Sequence, residues 1–73
     1  MDVTLNLLLD HEMREQVCEA LRNIEGIKSV DTDLLAHDVL VVHTERSRAR
    51  TLERELAALE GVVSAAVGAM ASG

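Results

Sequence analysis

The residues best able to do chemistry sit in two short stretches, Asp10-His11 and His37-Asp38. Imidazole and carboxylate together suit borderline divalent ions such as nickel, cobalt or zinc. They do so only where the fold gathers them; otherwise they are solvated loop groups, with Asp10 serving as a helix cap. His43, at the end of an apolar run, reads as a partly exposed strand residue. Cys18 reads as a half-buried thiol on a helix flank, and a single cysteine cannot close an internal disulfide, which fits a reducing, cytoplasmic compartment. Arg46, Arg48, Arg50 and Arg54 place four of the seven bases within nine residues. An acidic partner surface would account for that cluster, and so would pairing with Glu53 and Glu55 on a solvated helix face.

Several kinds of chemistry find no support. No serine-histidine-acid set, glycine-rich phosphate loop or spaced carboxylate pair is present, so the expected class is non-enzymatic. Thirteen acids against seven bases give a net charge of -6, and there is no Phe, Tyr or Trp. Nucleic acid is excluded on both counts, since phosphates need cations and single-stranded bases need aromatic platforms. The uncharged runs are far shorter than the roughly 20 residues of a membrane helix. No membrane association is expected.

The elements that must position these groups follow from periodicity. Val3, Leu5, Leu7 and Leu9 alternate along one face of a first strand. Asp10 is a plausible cap for a first helix with Glu12 and Glu15 in its first turn, and Met13, Val17, Ala20, Leu21 and Ile24 form its apolar stripe up to Gly26. Ile27 to Thr32 and Val39 to Thr44 read as strands joined through the polar-ended segment 33–38. Ser47 can cap a second helix with Ala49, Leu52, Leu56 and Leu59 inward, ended by Gly61, and Val62 to Val67 makes a last strand. The order strand-helix-strand-strand-helix-strand predicts an α+β, ferredoxin-like sandwich: a four-stranded antiparallel sheet with both helices on one face. One domain over 1–67 and a flexible tail over 68–73 are expected, since a chain of 73 residues supports a single small core.

In that topology the first strand-helix junction and the hairpin between strands two and three lie at one end of the sheet. Asp10 and His11 are thereby expected near His37 and Asp38. The third strand is apolar on both faces, leaving Val39 and Val41, or Leu40 and Val42, on the side away from the helices. An uncovered apolar stripe and an alanine-rich open edge predict a protein partner or a homodimer through the open sheet face, by way of strands three and four.

The skeleton Val17, Leu21, Ile24-Glu25-Gly26-Ile27-Lys28-Ser29-Val30, Asp33-Leu34 and Val39-Leu40-Val41 resembles the heavy-metal-associated, copper-chaperone-like domain. Within that family, Val39 to Thr44 and Gly68 to Gly73 are most similar to the superoxide-dismutase copper chaperones. The resemblance implies a Met-x-Cys-x-x-Cys metal motif where this chain has Leu8, Asp10 and Met13. Both thiolates that hold Cu(I) are thus replaced. The metal motif is degenerate, and the donors left at or near it are Asp10, His11, Met13 and His37, for a transition metal ion such as copper, nickel or zinc. Met13 also belongs to the core stripe.

The resulting expectation is a non-enzymatic module for metal handling, or for docking to a metal-trafficking partner, without tight Cu(I) binding. The alternative is a regulatory or oligomerisation domain of the same architecture, of the nickel-regulator or amino-acid-regulatory type. Asp10-His11-Glu12-x-Arg14-Glu15 is similar to the nickel-responsive regulators, although Asp31-Thr32-Asp33 stands where a His-x-His strand motif would be needed.

Overall fold

A computed structural model describes residues 2–68. Its elements are β1 (Asp2–Leu9), α1 (Arg14–Leu21), β2 (Ile27–Asp31), β3 (Val39–Glu45), α2 (Ala49–Ala57) and β4 (Val62–Val67), with 3-10 turns at His11–Met13, Leu35–His37 and Arg46–Arg48. The strands form one antiparallel sheet in the order β2-β3-β1-β4. Each strand-helix-strand unit therefore brackets a strand of the other unit, and the architecture is the α+β ferredoxin-like sandwich expected from the element order. Among the described residues no helix is long and apolar enough to cross a membrane.

Alternation decides what is inside. Leu5, Leu7 and Leu9 of β1 join Leu40 and Val42 of β3, Val17 and Leu21 of α1, and Leu52 and Leu56 of α2 in one buried cluster. The ambiguity in the third strand is resolved, because Leu40 and Val42 face the helices and Val39 and Val41 face away.

The first helix is shorter than its apolar stripe. Arg22, Asn23 and Ile24 donate to carbonyls three residues back, so the last turn tightens into 3-10 geometry after Leu21. Ile24 still packs against the core, which is why the side-chain pattern outruns the helix. Met13 likewise precedes α1, in the 3-10 turn capped by Asp10, whose carboxylate accepts from the Glu12 amide at 3.0 Å. Ser47 is not a cap: it lies inside the 3-10 turn Arg46–Arg48, and neither that turn nor α2 has a side-chain cap. The pairing of Arg50 and Arg54 with Glu53 and Glu55 also does not form among the described residues. Leu59 falls beyond α2 yet packs against the core. Gly68, which the sequence reading gives to the tail, is buried and donates its N–H to the Thr4 carbonyl at 2.7 Å, extending the β1–β4 ladder. The rest of the predicted tail, 69–73, lies outside the described residues.

Candidate functional site

Three segments meet at the C-terminal end of β1. The Leu9 amide donates to the Asp38 carbonyl and the Asp10 amide to the Gly61 carbonyl, both at 2.8 Å. This knits the strand-helix junction to the β2–β3 connection and to the approach to β4. Asp38 adopts a left-handed conformation, φ 64°, which aspartate tolerates better than most residues. Its carboxylate lies 2.8 Å from His11 Nδ1 and 3.9 Å from Arg14 Nε, while Arg14 Nε donates to the His11 carbonyl at 2.9 Å. An ionised carboxylate only accepts, so in the neutral imidazole this contact selects the tautomer with the proton on Nδ1 and the lone pair on Nε2. The His11 side chain is 64% exposed, so that lone pair is open to solvent.

The expected meeting of junction and hairpin thus takes place through His11 and Asp38. Asp10 is engaged in its cap, and His37 is exposed in its 3-10 turn without a side-chain hydrogen bond to the junction. Met13 is half-buried and packs over Gly61, where an added Cβ would come within 2.9 Å of the Met13 Cβ. Cys18 lies elsewhere, in a groove of about 330 Å³ between α1 and β2 with Leu21, Ile24, Ile27 and Val30. The carboxylates of Asp10 and Asp38, the imidazoles of His11 and His37 and the packed Met13 thioether lack the thiolate pair that would hold Cu(I) tightly. Among the described residues no three of His, Cys, Asp and Glu converge closely enough to hold a metal ion.

The second candidate surface is the sheet face away from the helices. Its register sets Leu8 beside Val39 and Ser64, Asn6 beside Val41 and Ala66, Thr4 beside His43, and Asp31 beside Val41. Leu8 is 45% exposed, and Val39, Val41 and His43 are half-buried. These residues form an apolar centre with a polar surround. At one end Lys28 Nζ donates to Asp2 at 2.9 Å and lies 3.6 Å from Glu45. The Asp2 carboxyl is held below its ordinary value chiefly by that hydrogen bond, and the same bond raises Lys28.

The arginine cluster lies off this face, in the turn before α2 and in α2 itself. Among the described residues none of the four makes an ion pair. Arg48 instead lays its guanidinium over Gly26, whose φ of 97° leaves the backbone bare for the approach. Sequence reasoning missed this contact and also Thr44, fully buried, whose hydroxyl donates to the Gly26 carbonyl at 2.6 Å. A threonine at an inward position of β3 is the one signal that pointed to it.

Compared with known proteins, the chain matches no family model, no curated protein and no solved structure.

Proposed function

We propose that this domain is a non-enzymatic docking module, akin to heavy-metal-associated domains, whose open sheet face receives a protein partner with an apolar centre and a basic rim. The observation that carries the reading is the row Leu8, Val39 and Val41, apolar residues standing on a sheet face that no helix among the described residues covers. Apolar patches of this kind mark interfaces. Charge supports the choice of partner: the face bears Asp2, Asp31 and Glu45 against Lys28, which the first and last of these already occupy. A second copy would meet like charge there, whereas a basic rim would not.

Site-specific photo-cross-linking in cells tests it, with the reactive group at Val41 and, as control, at the exposed Thr51 of α2. The reading expects a defined adduct from Val41 alone. It further expects the purified pair to dissociate with Leu8→Asp or Val41→Asp, and to weaken as salt rises. A captured protein indifferent to both substitutions would refute it.

Metal handling is the second reading, favoured by the His11–Asp38 contact. A ligating histidine commonly donates its other nitrogen to a carboxylate, the arrangement that here frees Nε2. One protein ligand of this kind holds a nickel or zinc ion weakly. Native mass spectrometry with Cu(I), Ni(II) and Zn(II) tests this reading: it expects a nickel or zinc adduct that His11→Ala removes, and no adduct with any of the three ions would refute it.

A further inference from the structure

We infer that β4 is a self-pairing edge: two copies of this chain join β4 to β4 in antiparallel fashion about Ala65, merging two four-stranded sheets into one continuous sheet. The surface and the occupant both differ from those of the docking face, and the inference does not depend on that reading.

β4 pairs with β1 as Leu5–Val67, Asn6–Ala66, Leu7–Ala65 and Leu8–Ser64, and the Gly68 amide donates to the Thr4 carbonyl. Antiparallel pairs alternate between bonded and non-bonded, so Ser64, Ala66 and Gly68 direct their N–H and C=O groups at β1. Ala65 and Val67 direct theirs outward. The outward Val67 N–H reaches the Glu53 carboxylate at 3.2 Å, whereas the Ala65 N–H has no acceptor among the described residues. Edges are ordinarily guarded by lysine, proline or inward charge. The strand Val62–Val67 reads VVSAAV and holds none of these, and its bulge, which can also blunt an edge, falls at Val63, outside the regular stretch Ser64–Val67 that carries Ala65.

The occupant follows from symmetry. Val63 and Val67, 65% and 38% exposed, stand two residues either side of Ala65. The β1–β4 register shifts at Val63, between the pairs Leu8–Ser64 and Leu9–Val62; a two-fold axis through Ala65 brings this bulged Val63 of each copy alongside Val67 of the other, so each exposed valine covers its counterpart. The charges agree. A groove of about 580 Å³ between α2 and the β4 edge is lined by Arg50, Glu53, Arg54, Ala57, Ala65 and Val67. The same axis runs the two α2 helices antiparallel, bringing Glu53 of one copy to the arginines of the other. Arg50 and Arg54, which have no ion-pair partner among the described residues, then have one. Val67 N–H passes from Glu53 to the neighbouring strand, which frees that carboxylate for the pairing.

Sedimentation of the whole chain over micromolar to millimolar concentration tests this, with Ala65→Pro as the decisive variant. Proline there removes an outward N–H and no β1–β4 bond, so the fold stays and the circular dichroism is unchanged. Two symmetric strand–strand hydrogen bonds disappear, and the dimer dissociation constant is expected to rise roughly 10- to 100-fold. Arg54→Glu is expected to weaken the dimer and Glu53→Arg with Arg54→Glu to restore it. Val41→Asp is expected to leave it intact, which separates this result from the fate of the docking face. A wild-type chain that stays monomeric throughout, or an Ala65→Pro dimer as tight as wild type, overturns the inference. Should Ala65→Pro not fold, amide exchange of the wild type decides: Ala65 protection that rises with concentration supports the pairing, and protection that does not change overturns it.

Discussion

His11 Nδ1 and Asp38 Oδ1 meet at 2.8 Å across 27 residues of chain, and this contact joins the start of the first helical turn to the end of the β2–β3 connection. It sits beside the backbone bonds from Leu9 and Asp10 that close the same end of the sheet. Geometry here is therefore imposed by backbone first and by charge second.

That ranking has a measurable consequence at Asp38. Because the His11 side chain is 64% exposed and that of Asp38 31%, solvent screens the pair, and Asp38→Asn, which keeps tolerance for the left-handed conformation, should cost under about 1 kcal/mol. Asp38→Val, β-branched at φ 64°, should cost roughly 1–3 kcal/mol. Urea midpoints for the two variants check this, and equal losses would place the stabilisation in the ion pair instead.

Gly61 has less room to change than Gly26. Both have φ near 97° (96° and 97°), but a Cβ on Gly61 would come within 2.8 Å of Val17 Cγ2 and 2.9 Å of Met13 Cβ, whereas one on Gly26 meets only the guanidinium of the long Arg48 side chain, at 3.1 Å. Gly61→Ala should cost about 2 kcal/mol or more and Gly26→Ala about 1 kcal/mol. Chemical denaturation of both reads the order directly.

The Asp2–Lys28 bond predicts how stability responds at both pH extremes. Asp2 is depressed below 3.8 by its bond from Lys28, so its contribution is present above 3.8 and is lost as pH falls through the lowered value. Lys28 is raised above 10.5 by the same bond, so its contribution is present below 10.5 and is lost as pH rises through the raised value. Lys28→Met should therefore flatten the urea-midpoint profile at the acid and alkaline ends together. Parallel profiles for wild type and variant would show that the bond contributes nothing in solution.

The metal-motif register makes a prediction of its own. Wild type should not compete with a strong Cu(I) chelator, while Asp10→Cys with Met13→Cys should, since the two substitutions return thiolates to the positions the resemblance assigns. A chelator titration in which the double variant equals wild type would remove the register.

What could be read beforehand was whatever rests on side-chain periodicity. Val3, Leu5, Leu7 and Leu9 announced the buried face of β1, and Val17, Leu21, Leu52 and Leu56 the helix stripes, because burial selects residue type at every second or every third and fourth position. Helix ends were less visible, since Ile24 and Leu59 stay apolar for packing after the backbone has left the helix. Contacts set by backbone shape were invisible: the stacking of Arg48 on Gly26, the bond from Thr44 to the Gly26 carbonyl, and the ladder that includes Gly68. At the candidate site, the approach of the junction to the hairpin was legible from topology. The choice of Asp38 over His37 as the residue that meets His11 was not, because it depends on a single left-handed residue.

The docking of a partner on the open sheet face is tested most directly by hydroxyl-radical footprinting of the domain within its cellular complex, compared with the purified chain. Leu8, Val39 and Val41 should lose reactivity in the complex while Arg22 of the α1 side and Glu55 of α2 do not change. Protection on the helices, with the sheet face as reactive as in the isolated chain, would contradict it.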